Sequence, residues 1–149
     1  MIDQFEELLS ALGHVFHLPL HIDKHHACSI QIHHQLTIQL KPDPSLENLI
    51  LFSKIIEIPP GKFRENVLKE ALKANSSPDP RVGIFGYIAS ANQLALFQRY
   101  PFRILNGERL AGIVGAFLEF SETWRKAIEG GFPAPPPSVS LPPPMGLKP

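Results

Sequence analysis

Residues 28–40 read CSIQIHHQLTIQL, two runs of alternating apolar and polar residues separated by His33, His34 and Gln35. Alternation with a period of two predicts β-strands that bury one face. A three-residue loop places the apolar residues of both runs on one face of a hairpin, whereas a two-residue loop places them on opposite faces. We therefore expect an antiparallel hairpin with the pairs Cys28–Leu40, Ile30–Ile38 and Ile32–Leu36.

The hairpin also guides the interpretation of the histidines. All seven lie between residues 14 and 34, together with Cys28, the only cysteine of the chain. On the predicted hairpin Cys28 faces the core, where a thiol is common and unreactive. Pro19 prevents a helix from placing His17 and His21 on one side, and His14 with His17 would make a weak pair of ligands. We expect no metal site here, and the alternative is a small enzyme or a ligand- or metal-binding protein that uses this histidine-rich segment.

Three helices and three further strands are predicted around the hairpin. Apolar residues at helical spacing predict helices over about residues 3–17, over residues 62–75, and from the N-cap Asn106 to Gly130. Strands are expected over residues 49–58, 82–88 and 93–102, the first with a possible bulge at Ser53–Lys54. The order α-β-β-β-α-β-β-α predicts an α+β domain with a twisted antiparallel sheet flanked by helices.

Composition excludes several classes of protein. Basic and acidic residues number 14 each, which favours neither a nucleic acid nor an anionic membrane as a partner. A single cysteine excludes an intramolecular disulfide framework and is typical of the reducing cytosol. The N-terminal residues lack the pattern of a signal peptide, and no apolar run approaches the roughly 20 residues that span a bilayer. We expect a cytoplasmic protein without membrane insertion.

Catalytic motifs are missing from the sequence. It contains no GxSxG, no glycine-rich phosphate loop, no HExxH and no paired CxxC. The acidic residues are spread over faces that we expect to be exposed. We therefore expect no enzyme activity, no catalytic residue and no cofactor.

A change in composition divides the chain into two parts. Half of the 16 prolines lie in residues 132–149, and proline can continue neither a helix nor a strand ladder. We expect a domain over residues 1–131 and an extended or disordered tail over residues 132–149. The tail is interpreted as a solvated segment, and the alternative is a scaffold whose proline-rich tail docks into a partner's groove.

Four stretches of the predicted domain carry a pattern typical of one protein family. They are LLSALGHVFHLPLHID leading into CSIQI, then LKEALKANSS, then GIFGYIASANQLALFQRYPF, and finally ETWRKAI at the end of the last helix. This combination resembles the type III secretion chaperones of the Tir chaperone (CesT-like) family over about residues 1–130. The resemblance implies a small homodimer that binds the non-globular N-terminal segment of a secreted effector. It would keep that segment unfolded and deliver it to the secretion apparatus, without ATP.

Two sets of apolar residues are candidates for these contacts. An effector segment is expected to bind between the first helix and the first three strands, by strand addition and shallow apolar pockets. The candidates there are Leu9, Leu12, Val15, Ile30, Ile38, Leu49 and Leu51. The second helix and the strand after it are expected to pack about the two-fold axis of the homodimer. The candidates there are Phe63, Val67, Leu68, Ala71, Ile84, Phe85 and Tyr87.

Overall fold

The computed structural model describes residues 4–32, 36–78 and 81–136 of the chain. The predicted order of elements is confirmed. The elements are α1 (Gln4–Phe16), β1 (Cys28–Ile32), β2 (Leu36–Pro42), β3 (Asn48–Glu57), α2 (Lys62–Asn75), β4 (Ile84–Ile88), β5 (Gln93–Pro101) and α3 (Gly107–Glu129), with a 3-10 turn over Phe102–Ile104.

The five strands form one antiparallel sheet in the order β1-β2-β3-β5-β4. The predicted hairpin register is observed, since Cys28 pairs with Leu40, Ile30 with Ile38, and Ile32 with Leu36. The three residues that separate the strands, with the predicted loop histidines, lie outside the described residues. Because an odd number of residues separates the two strands, the apolar residues of β1 and β2 lie on one side of the sheet.

A bulge interrupts β3 close to its predicted position. The β3–β5 register shifts between Lys54 and Ile56, one residue beyond the Ser53–Lys54 step expected from the sequence. The β2–β3 register runs as far as Ile38–Ser53, so Ile55 lies beyond it. Its carbonyl instead accepts a 2.6 Å hydrogen bond from Arg125 Nη1, which fixes the C-terminal half of α3 against this end of the sheet.

The core lies between one face of the sheet and the helices α1 and α3. A row of side chains crosses this inner face through consecutive strand pairs, and every member is buried. The row is Ile30, Ile38, Ser53, Leu96 and Phe85. On α3 the side chains that face the core are half-buried at Ile113 and buried at Leu110, Val114, Phe117, Ser121, Trp124 and Ile128. The indole of Trp124 lies 4.4 Å from the ring of Phe85, measured between centroids.

The ends of the helices follow local signals in the sequence. Asn106 is the N-cap of α3 as predicted, and its Oδ1 accepts a 2.8 Å hydrogen bond from the amide of Arg109. α2 spans the predicted residues, between Pro59-Pro60 and a C-cap at Ser76. α1 ends before His17, which has a positive φ of 55°, and before Pro19. None of the described helices combines the length and apolar content needed to cross a membrane.

Candidate functional site

The residues predicted to contact an effector lie almost entirely in the core. Leu9, Leu12, Ile30, Ile38, Leu49 and Leu51 are each at most 3% exposed. Neighbouring side chains cover them in the protomer, so they support the fold from within and present no surface to a partner. Val15, near the end of α1, is 47% exposed and is the member of the set that a partner can contact.

A partly apolar surface lies on the opposite side of the sheet. One row across the five strands reads Ser29, Gln39, Phe52, Phe97 and Ile84. Phe97 is 41% exposed, and Phe52 and Ile84 are half-buried. Ile50, Thr37 and Lys54 lie on the same side of the sheet. We call the surface formed by this row and these three residues the outer face. It is apolar on β3, β4 and β5 and becomes polar on β1 and β2.

Two grooves run along the outer face and share Phe52. One has a volume of about 670 Å³ and is lined by Ser29, Thr37, Gln39, Phe52, Lys54, Ile56, Glu57, Gln93 and Arg125. The other has a volume of about 390 Å³ and is lined by Ile50, Phe52, Ile84, Phe97, Gln98 and Arg99. Aromatic rings beside hydrogen-bonding side chains suit a peptide, which presents both apolar groups and backbone carbonyls.

The sequence contained a signal for the outer face. In β3 the buried Leu51 is followed by the half-buried Phe52, so this strand is apolar on both sides. A strand with two apolar sides predicts burial on both, one of them against something outside the sheet–helix core. The signal showed that a second apolar surface exists, but it did not show which side the helices would cover.

The predicted dimer residues fall into two groups. Val67, Ala71 and Phe85 are buried within the protomer at 0%, 3% and 6% exposure. Phe63, Leu68, Ile84 and Tyr87 are half-buried, and of these Ile84 lies on the outer face. The most exposed apolar residue of α2 is Leu72, at 68%, which was not among the candidates. Leu72 and Leu68 border an apolar pocket of about 220 Å³ between α2, β4 and β5.

Polar contacts fasten α2 to β4 near both ends of the helix. The side chain of Asn75 donates to the carbonyl of Phe85 at 3.0 Å and accepts from its amide at 2.8 Å. Near the other end, Arg64 Nη1 donates to the Tyr87 hydroxyl at 2.7 Å and to Asn92 Oδ1 at 2.9 Å. Since β4 is an edge strand, Asn75 occupies backbone groups at which another strand would pair.

A separate groove borders α1 and contains histidines. It has a volume of about 580 Å³ and is lined by Glu6, Leu9, Ser10, Gly13, His14, His17, Leu18, Pro19, Leu20, His21 and Ile22. Within the described residues, no three His, Cys, Asp or Glu side chains are placed to hold a metal ion together. The ring of His26 contacts Phe5 edge-on, with centroids 5.5 Å apart. The described histidines are exposed, with His14 on α1 and the others in the segment between α1 and β1.

Two titratable groups with shifted pKa values have structural explanations. Asp43 Oδ1 accepts from Ser45 Oγ and from the amides of Glu47 and Asn48, and Oδ2 accepts from Asn48 Nδ2. These hydrogen bonds, with that from the Asn48 side chain the largest cause, lower the pKa of Asp43 to about 2. Burial raises the pKa of the Cys28 thiol, which disfavours the reactive thiolate. Asp43 thus stabilises the β2–β3 turn, and Cys28 is a core residue.

Comparisons with known proteins agree on one family and one fold. A sequence model of the Tir chaperone protein (CesT) family matches residues 7–125. Comparison with curated protein sequences gave no match.

Solved structures with a similar fold come from protein complexes. A chain of the HopA1–SchA chaperone–effector complex aligns with a TM-score of 0.66 and 21% identity, over 83% of this chain and 94% of that chain. A chain of the ExoT–SpcS complex from Pseudomonas aeruginosa has a TM-score of 0.62 and 17% identity, over 82% and 97%. A chain of the complex of the Yersinia pestis type III secretion chaperone SycH with a stable fragment of YscM2 has a TM-score of 0.60 and 13% identity, over 78% and 95%. At these identities the matches establish a shared fold.

Proposed function

Because the chain belongs to the Tir chaperone (CesT) family, we propose that it is a type III secretion chaperone for effector proteins. It binds the non-globular N-terminal segment of an effector, keeps that segment unfolded and delivers it to the secretion apparatus in the cytoplasm. The outer face is the structural observation that carries this proposal. It is a half-exposed apolar surface on a sheet whose other face already holds the core.

An unfolded segment must regain apolar burial and hydrogen bonds to offset the entropy that it loses on binding. The outer face offers both, since Phe52 and Phe97 present aromatic surface beside Gln39 and Thr37. Burying one phenylalanine side chain contributes about 1.5–3 kcal/mol. Val15 on α1 adds a separate apolar contact, so an extended segment that runs from the sheet to α1 would contact both. The six buried candidates act by holding these surfaces in place.

The proposed chaperone is a homodimer that forms through α2. Leu72 is exposed and Leu68 half-buried on the side of α2 that borders β4. A second copy of α2 would cover these residues, and such an interface commonly buries about 1,200–2,000 Å² in total. Val67 and Ala71 then stabilise the helix from within the protomer. This assignment leaves the outer face of each protomer accessible to an effector.

Binding to an effector that co-purifies with the protein from its native cell tests this function. The N-terminal segment of that effector should bind, should acquire no globular fold, and should protect amides of α1, β1, β2, β3 and β5 from hydrogen exchange. Phe52→Ser and Phe97→Ser should each remove apolar burial at the interface and weaken binding about tenfold. This factor corresponds to a loss of about 1.4 kcal/mol of binding free energy.

The matched control for these substitutions is Leu46→Ser. Leu46 is 66% exposed but lies in the β2–β3 turn, away from the outer face, and its replacement should leave the affinity unchanged. Protection confined to the proline-rich tail, or a partner that binds only in its folded state, would contradict the chaperone assignment.

A further inference from the structure

The larger groove of the outer face begins where α3 ends. Arg125, in the last two turns of α3, lines this groove and donates to the carbonyl of Ile55. After Gly130 the chain turns back, and the amide of Phe132 donates to the carbonyl of Ala127 at 2.9 Å. Ala134 packs against the core, and Pro136 is the last described residue. The described chain therefore ends close to the C-terminal end of α3, from which Arg125 reaches into this groove.

We propose that residues 137–149 occupy this groove of their own chain when no effector is bound. This inference rests on the proposed function, because it assigns the tail as a competitor for the effector surface. The tail is long enough to do so. Thirteen residues in a polyproline II conformation span up to about 40 Å at 3.1 Å per residue, whereas five strands spaced by about 4.8 Å make a sheet about 19 Å wide.

The chemistry of the tail matches that of the groove. Prolines have no amide N–H, so Pro142-Pro143-Pro144 cannot pair as a strand, but their carbonyls accept hydrogen bonds and their rings pack on aromatic side chains. The groove provides the aromatic surface of Phe52. Its donors are the side chains of Gln39, Gln93, Lys54, Thr37 and Arg125.

Apolar and charged groups of the tail also find counterparts. Leu141 and Met145 flank the proline run and provide apolar side chains that could pack on the exposed surface of Phe52 and Phe97. The only charged residue of the tail is Lys148, and the groove contains the carboxylate of Glu57. A proline-rich segment cannot add to a sheet edge as a strand, so a face with aromatic surface and side-chain donors suits it better than an edge does.

A nitroxide label on the tail tests the proposal in the full chain without any effector. Met145→Cys introduces an accessible thiol for the label, and the native Cys28 is fully buried and does not compete for it. We expect the label to attenuate the amide signals of Thr37, Gln39 and Lys54, and to leave those of α1 unchanged. Adding the effector segment should restore the attenuated signals.

Substitutions separate docking from random contact. Phe52→Ser should abolish the attenuation, and Gln39→Ala should reduce it while perturbing the fold less. Leu46→Ser should leave it unchanged. Uniform weak attenuation over the whole domain, or attenuation that persists in the Phe52 and Gln39 variants, would overturn the proposal.

Two further measurements distinguish the possible occupants. The first mixes nitroxide-labelled protein without isotope enrichment and isotope-enriched protein without nitroxide, so that only contacts between two copies can attenuate signals. Attenuation in this mixture would assign the groove to the tail of another copy and overturn docking within one chain. If the tail fails to dock while the effector segment binds, this inference is wrong and the chaperone function stands. If the tail docks and no effector segment binds, the tail proposal survives and the proposed function fails.

Discussion

The side-chain amide of Asn75, the last residue of α2, forms two hydrogen bonds with the backbone of a single residue, Phe85 in the edge strand β4. One amide therefore imitates a neighbouring strand. Asn75→Ala removes both bonds and leaves the backbone of the buried Phe85 without partners, which should destabilise the protein by about 1–3 kcal/mol. Denaturant unfolding measures this change. Lys69→Ala, which removes an exposed ion pair with Glu65, is the control, and equal effects of the two variants would refute the assignment.

The close contact between α1 and α3 predicts how glycine substitutions in α3 change the stability of the protein. A Cβ added to Gly107, at the start of α3, would overlap the side chain of Ala11 in α1. Gly107→Ala should therefore destabilise the fold by about 1–3 kcal/mol. Gly112→Ala on the same helix meets open space and should instead stabilise by about 0.5–1 kcal/mol, since alanine favours a helix more than glycine does. Thermal unfolding of both variants checks the opposite signs.

The β2–β3 turn should make stability depend on pH. The pKa of Asp43 is lowered to about 2 in the folded protein, whereas an aspartate in an unfolded chain titrates near about 3.9. The folded state then binds the proton less tightly, so the contribution of Asp43 is fully present above about pH 4 and is lost as the pH falls towards 2. Asp43→Asn should be less stable than wild type at pH 7, and the difference should shrink at pH 2–3. Leu46→Ser, in the same turn, removes no titratable group, so its stability difference from wild type should show no such convergence.

The proposed dimer makes a prediction at Leu72. Leu72→Glu places a carboxylate in the proposed interface and should give a folded monomer, whereas Leu46→Glu should remain dimeric. Light scattering at micromolar concentration distinguishes the two. Val67 is a poor site for this test because it is fully buried in the protomer, so a charge there would unfold the chain. A monomeric wild type would remove the basis for the dimer.

The thiol of Cys28 should react very slowly in the native protein. It is fully buried, and burial raises its pKa, so both access and thiolate formation are suppressed. A disulfide reagent should modify it only at the rate of unfolding, and at once in denaturant. Stoichiometric modification of the folded protein within seconds would show that β1 opens from the sheet.

The sequence predicted the fold well where local patterns constrain it. The register of β1 and β2 follows from the odd number of residues between Ile32 and Leu36, because only an odd number places the apolar residues of both strands on one face. The bounds of α2 follow from the prolines before it and the polar turn after it. The strand predicted over residues 82–88 begins at Ile84 in the structure, since alternation does not fix where pairing with β5 starts.

The candidate contact surfaces were less predictable, for a physical reason. Alternation shows that Leu49 and Leu51 share one side of a strand, but core and binding surfaces are built from the same apolar residues. Only the packing of α1 and α3 decides that this side is core and that Phe52 and Phe97 remain accessible. The exposure of Leu72 was not predicted for the same reason, because its neighbours on α2 are apolar too and the helix pattern does not show which row is left exposed.

The strand order has a consequence for how the chain folds. In the described sheet, β1, β2 and β3 are successive neighbours and β4 pairs with β5, so these contacts form between segments that are close along the chain. The β3–β5 pairing must bring its partners together across α2 and β4, which makes it the entropically expensive step. The folding transition state should therefore be organised around the β3–β5 pairing. Shortening Leu51 or Leu96 should slow folding, whereas shortening Ile30 at the edge of the sheet should mainly accelerate unfolding.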